Sequence, residues 1–220
     1  MNITYDYIDN FISSLYVEEN EKINELFKFA RERHIPVVCD ATALFLRFLC
    51  AREKPKRILE VGAAIGCSAL IMYYASGSDP DITTMERNEE MLKLARANIE
   101  SVGLSDKIEV IFGDAAEILP AQTGYYDFIF LDAAKGQYLA FLPEILRLLA
   151  PKGLLVCDNV LIRGMVANDD LVPRRHKTMT VNMRAFIEKI KSDKNLDFAL
   201  LPVGDGVLVC QKRGDVDENK

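Results

Sequence analysis

The stretch Arg57-Ile58-Leu59-Glu60-Val61-Gly62-Ala63-Ala64-Ile65-Gly66-Cys67-Ser68 decides how this chain is read. A short apolar run ends at a glycine, small residues follow, and a helix is predicted over 67–75. In such a strand-loop-helix unit a ligand can approach the backbone N–H groups at the helix start, where the helix presents partial positive charge. The two glycines alone also suit a plain strand-to-helix turn, because Gly62 and Gly66 are spaced as G-x-x-x-G and not as the dinucleotide fingerprint G-x-G-x-x-G.

Outward from that unit, strand and helix patterns alternate. Strands are predicted over 57–61, 81–85, 107–112, 126–131 and 153–157. Helices are predicted over 67–75, 89–101, 115–119, 138–149 and 178–191, with Gly103 closing the second and Pro120 stopping the third. Two last strands, 196–201 and 206–211, are joined by Pro202-Val203-Gly204-Asp205-Gly206, which suits a hairpin. Five alternations imply an α/β fold with a mostly parallel, doubly wound sheet, Rossmann-like in kind, closed by an antiparallel C-terminal hairpin. Residues 1–54 read as extra N-terminal helices. Ile23, Leu26, Phe27 and Ala30 form an apolar stripe within 18–33, and a further helix over 41–52 is capped by Asp40 or Thr42. One domain results: a helical cap over 1–54 that covers the mouth of the site or forms a dimer surface, a core over 55–213 and a polar tail over 214–220.

Composition fits this. The chain has 220 residues, 50% hydrophobic and 27% charged, values that exclude disordered and fibrous classes. A net charge of −6 disfavours a globally basic nucleic-acid binder while leaving room for a local basic patch. No apolar run is long enough for a membrane span, and no signal peptide is seen. Cys39, Cys50, Cys67, Cys157 and Cys210 include no C-x-x-C pair and read as buried reduced thiols, so a cytoplasmic protein is expected.

Ligands in doubly wound sheets bind beyond the carboxyl ends of the strands. There the sequence puts Gly62 to Ser68, Glu86, Asp114, Asp132 and Asp158-Asn159. Glu86, at the end of the second strand, is placed to accept hydrogen bonds from two ribose hydroxyls, so the pattern favours an adenosine ligand. Asp114 either brackets the adenine or caps a helix. Asp132, Asp158 and Asn159 offer only hard oxygen ligands, suited to Mg²⁺, Mn²⁺ or Ca²⁺ and not to zinc; equally, they are common helix-cap and turn residues. Lys135 is either a surface lysine or a base, since an ammonium beside a metal ion is disfavoured. His34 and His176 lack Ser or Cys partners, so no hydrolase triad is read, and His34 is assigned to a turn. The segment 163–177 sets Arg163, Arg174, Arg175 and Lys177 against Asp169 and Asp170: a solvated loop, or a lid that holds phosphates.

Together, Glu60 to Ser68, Glu86-Arg87-Asn88, Gly113-Asp114-Ala115, Leu131-Asp132-Ala133-Ala134-Lys135-Gly136-Gln137-Tyr138 and Asp158-Asn159-Val160 resemble the cation-dependent O-methyltransferases, the family of catechol and caffeoyl-CoA methyltransferases. The resemblance runs from about His34 to the C-terminal hairpin. Within the family it is greatest to the bacterial enzymes that methylate 5-hydroxyuridine at the tRNA wobble position, on Arg33 to Val38, Asp132 to Tyr138, Asp158 to Val166, Arg174-Arg175 and Pro202 to Gly206. The resemblance implies S-adenosyl-L-methionine as cofactor. Val38, Glu60, Gly62, Ser68, Glu86, Asp114, Ala115 and Asp132 would bind it. Asp132, Asp158 and Asn159 would hold the cation, most simply Mg²⁺. Lys135, with Asp132, would be catalytic. Arg163, Arg174 and Arg175 would contact substrate, an anticodon loop or alternatively a small catechol. A homodimer is also implied. The chain departs from the animal catechol enzyme in one respect: it has no tryptophan, and Ala134 stands before Lys135. A hydrophobic gate for a flat free catechol is therefore missing, and the open mouth suits a base carried on a large substrate.

Overall fold

The computed structural model describes residues 3–214. It has eight α-helices and seven strands in the order α1 (Asp6–Ser14), α2 (Glu21–Arg33), α3 (Asp40–Glu53), β1 (Arg57–Val61), α4 (Cys67–Ser76), β2 (Asp81–Glu86), α5 (Glu89–Ser101), β3 (Ile108–Phe112), α6 (Ala115–Ala121), β4 (Tyr126–Leu131), α7 (Tyr138–Leu148), β5 (Leu149–Cys157), α8 (Lys177–Ser192), β6 (Leu196–Leu201) and β7 (Val207–Lys212). Short 3-10 turns stand at Lys135–Gln137, Asp169–Leu171 and Arg174–His176. The tail expected over 214–220 lies outside the described residues apart from Gly214.

The sheet order is β3-β2-β1-β4-β5-β7-β6. β1 to β5 are parallel, and β7 runs antiparallel to both its neighbours. The expected architecture is thus observed. Strand residues alternate between two cores, as a period of two requires. Ile58, Phe128 and Val156 face the core built by α2, α3, α4 and α5. Leu59, Ile129 and Leu155 face the core built by α6, α7 and α8. With both faces covered, the central strands read as continuous apolar runs.

Several boundaries shift. α2 starts at Glu21 and not at 18, because Asn20 caps it by accepting the Ile23 N–H at 3.2 Å. Neither Asp40 nor Thr42 caps α3. Cys39 stands at that position without a side-chain cap bond, and Thr42 is buried. α6 runs through Pro120 to Ala121. β5 begins at Leu149, directly after α7, with a register irregularity opposite 126–128. His34 closes α2 in the left-handed conformation (φ +54°), as its turn assignment expected. Four cysteines are buried, but Cys39 is exposed, because it sits at the open start of α3.

Candidate functional site

The strand order reverses between β1 and β4, the switch point at which open α/β sheets form a crevice. Register sets what stands there. Val61 pairs with Leu131, and Leu131 with Cys157, so the next residues, Gly62, Asp132 and Asp158, leave the sheet side by side. Backbone bonds hold them in line: the Asp132 N–H donates to Val61 O and the Asp158 N–H to Leu131 O, each at 3.0 Å. Gly62 has φ +108°, and a Cβ there would overlap the Asp132 carbonyl oxygen. Its first reason to be glycine is therefore the close approach of two strand ends.

A cleft of about 550 Å³ opens on this edge, lined among others by Val38, Gly62, Ser68, Glu86, Asp114 and Asp132. Ala115 also lines it. Gly66 (φ +86°) starts α4 with no side-chain cap and no acid in the first turn. The first N–H groups of α4 are thus free of side-chain capping and suit an anionic ligand group. Glu86 braces the loop. Its Oε2 accepts the Ala64 N–H at 2.9 Å and its Oε1 the Asn88 N–H at 2.8 Å. Each oxygen keeps a lone pair for a hydroxyl donor. Asp114 caps α6 by accepting the Ala116 N–H at 2.9 Å, and it still borders the cleft. The helix-cap reading of Asp114 is thus observed.

Glu60 does not line this cleft. It is fully buried behind it, accepting the Thr84 hydroxyl at 2.6 Å through Oε2. Its Oε1 has no hydrogen-bond partner among the described residues. Burial pushes its carboxyl up to about 7, against the pull of the Ser68 and Thr84 hydroxyls.

A second cleft, about 670 Å³, adjoins the first at Asp132 and Lys135. It is lined by Asp132, Lys135, Asp158, Asn159, Arg163 and Asp205 and, from α1, by Asp9, Asn10 and Ser13. The N-terminal cap thus reaches the site, while Tyr7 and Phe11 on α1, and Tyr5 and Leu15 flanking it, remain exposed. Lys135, in the 3-10 turn after β4, pairs with Asp132 (Nζ–Oδ1 2.5 Å). Asp158 is 2% exposed, and its Oδ1 accepts the Asn159 N–H at 2.7 Å. Burial, with Asp132 next in effect, pushes the Asp158 carboxyl up to about 7.

Among the described residues, no three His, Cys, Asp or Glu side chains converge as a metal cluster. The local set is instead two carboxylates and a carboxamide. Its chemistry fits a hard cation: every donor is oxygen, and while Asp132 has the Lys135 ammonium beside it, the buried Asp158 has no ion-pair partner among the described residues.

Three supporting residues were not read from sequence. The Thr42 hydroxyl lies 3.4 Å from Asp158 Oδ1. The Tyr138 hydroxyl, fully buried, lies between Leu131 O (3.0 Å) and Asp158 O (3.1 Å), tying the ends of β4 and β5 together. Asp205 accepts the Arg163 N–H at 2.5 Å. Conversely, Arg174 and Arg175 stand exposed on their 3-10 turn and line neither cleft; Arg175 Nε donates to His176 Nε2 at 3.1 Å. Among the described residues no helix is long and apolar enough to cross a membrane.

Comparison with known proteins agrees with this geometry. A family model described as O-methyltransferase matches residues 13–213. The chain is 32% identical over 210 residues to a caffeoyl-CoA O-methyltransferase of Stellaria longipes, covering 91% of this chain and 87% of that protein. A crystal structure of a candidate caffeoyl-CoA O-methyltransferase from Staphylococcus aureus superimposes with a TM-score of 0.86 at 30% identity, over 94% of this chain and all (100%) of that one. A Podospora anserina methyltransferase bound to SAH superimposes with a TM-score of 0.85 at 26% identity, over 94% of each chain. The chain belongs to the O-methyltransferase family, and its fold is that of the class I S-adenosylmethionine-dependent methyltransferases.

Proposed function

We propose that this protein is an S-adenosylmethionine- and divalent-cation-dependent O-methyltransferase that converts 5-hydroxyuridine to 5-methoxyuridine at the tRNA wobble position. The observation that carries the chemistry is the adjacency of Asp132, Asp158 and Asn159 at two paired strand ends, with Lys135 on the border of the two clefts. The first cleft takes the methyl donor: Glu86 receives the ribose hydroxyls, Asp114 and Ala115 border the adenine, and the start of α4 with Ser68 receives the methionine end. SAH in the Podospora anserina relative supports this choice of donor.

Asp132, Asp158 and Asn159 would hold the cation, Mg²⁺ being the simplest choice. A hard divalent ion there supplies one thing, an acidified and oriented acceptor hydroxyl. Lys135, on the border of the two clefts, is the group placed to take up the hydroxyl proton. The acceptor oxygen forms a bond to the methyl carbon as the carbon–sulfur bond breaks, and the bonding pair stays on sulfur. Opposite charges on oxygen and sulfonium cancel along this path, so positioning by the two adjoining clefts counts most.

The tRNA substrate is supported by the motif resemblance, the absence of tryptophan, and exposed Arg174 and Arg175 outside the clefts, where a phosphate backbone would run. Nucleoside mass spectrometry of tRNA from a deletion strain tests it: 5-hydroxyuridine accumulates and 5-methoxyuridine disappears. Unchanged 5-methoxyuridine would overturn the substrate. The second reading, a small catechol or hydroxylated metabolite, is favoured by the caffeoyl-CoA relatives, and methylation of catechols but not of tRNA by the purified protein would select it.

A further inference from the structure

The turn 202–206 between β6 and β7 is wedged between two parts of the site. A Cβ on Gly204 (φ +55°) would come 2.8 Å from Cys39 Sγ and 3.0 Å from Thr42 Oγ1, and one on Gly206 (φ +87°) would overlap Leu161. Backbone bonds join the turn to the loop after β5: Val160 N–H to Gly206 O at 2.9 Å and Leu161 N–H to Asp205 O at 3.0 Å. The Asp205 carboxylate adds the last link by accepting the Arg163 N–H at 2.5 Å.

The loop so held is strained. Asn159 (φ +55°), Ile162 (φ +48°) and Arg163 (φ +54°) are all in the left-handed region, and Ile162 is β-branched. Such conformations persist only where the surroundings over-determine them, and they gather at functional sites. Asn159 and Arg163 line the second cleft together with Asp205 itself.

We propose that Asp205 is a positioning residue: its hydrogen bond to the Arg163 N–H locks the loop 159–164, so that Asn159 stands beside Asp158 as a ligand and Arg163 borders the acceptor cleft. The inference rests on the reading that Asp132, Asp158 and Asn159 hold a divalent cation. It is independent of the acceptor's identity.

The test is Mn²⁺ binding to the full chain in the presence of S-adenosylhomocysteine, followed by electron paramagnetic resonance, so no turnover is needed. Groups that orient metal ligands are worth about 10–100-fold in metal affinity, and Asp205→Ala should weaken Mn²⁺ binding within that range. Asp205→Asn keeps an acceptor oxygen at the same reach without the charge, and it should bind Mn²⁺ as the wild type does. Asp205→Glu keeps the charge but displaces the oxygen, and it should behave like the alanine variant; this contrast stands even if Asp205→Ala does not fold. S-adenosylhomocysteine affinity should be the same in all. Wild-type affinity in Asp205→Ala, loss in Asp205→Asn with retention in Asp205→Glu, or a matching loss of S-adenosylhomocysteine binding would each overturn the clamp. A wild-type protein that binds no Mn²⁺ would instead overturn the cation reading itself, and the clamp with it.

Discussion

The Nζ of Lys135 lies 2.5 Å from Oδ1 of Asp132, three residues back along the chain, at the border of the two clefts. On the proposed function, a cation on Asp132 would compete with that ammonium for the same carboxylate, and its arrival would release Lys135 toward the acceptor.

Replacing the ammonium by an apolar chain of similar length separates these events. Lys135→Met should bind Mg²⁺ at least as tightly as the wild type, because a competing positive charge is gone. Its kcat should fall by about 10²–10⁴-fold, the usual worth of a general base. Single-turnover methylation with saturating donor, together with calorimetric Mg²⁺ titration, measures both. Undiminished kcat would assign deprotonation to the cation alone.

Cation binding should also titrate. The Asp158 carboxyl is pushed up to about 7 by burial and by Asp132, and it must be ionised to serve as a ligand. Below that value protons compete, so apparent affinity should fall by up to about tenfold per pH unit and level off above it. Asp158→Ala should lose both cation binding and activity, and EDTA should abolish turnover of the wild type. Robust methylation in chelated buffer would contradict the cation requirement.

These groups were legible in the sequence to different degrees. β1, α5, β4 and β6 fall where periodicity puts them, and Glu86, Asp132 and Asp158-Asn159 follow from reading what comes after each strand. Their supports did not. Thr42 reaches Asp158 across 116 residues, Tyr138 reaches it across 20, and Asp205 reaches Arg163 across 42. No local pattern pairs such positions; only the sheet register and the packing of α3 and the hairpin turn bring them together. Asp205 stood in plain view within Pro202-Val203-Gly204-Asp205-Gly206, but the same residues satisfy a hairpin turn, and turn chemistry hid the second role. Glu60, two places before the loop, belongs to a sheet face, so its side chain is buried behind the cleft and does not line it.

That burial has its own signature. Glu60 carries a carboxyl pushed up to about 7, so the native chain binds this proton more tightly than the unfolded chain does. Between its ordinary value near 4.5 and 7, stability should therefore fall as pH rises. Glu60→Gln has no such proton. Without cation or cofactor, its loss of stability from pH 5 to pH 8 should be smaller than the wild type's by on the order of 3 kcal/mol. Urea unfolding at the two pH values provides the comparison; parallel pH profiles for the two proteins would mean that Glu60 is solvated in solution.

The substrate can be probed apart from the chemistry, because Arg174 and Arg175 stand exposed outside both clefts. If they hold the backbone of an anticodon loop, reversing their charge weakens RNA binding without touching the reacting base. Arg174→Glu with Arg175→Glu should lower kcat/KM on tRNA that lacks the final methyl by about 10–100-fold near 0.1 M salt, and should flatten the dependence of binding on salt, since fewer counterions are released. Free 5-hydroxyuridine, too small to reach that turn, should be methylated as well by the variant as by the wild type. Equal losses on both substrates would place the two arginines in the fold of the 163–177 segment and not in contact with RNA.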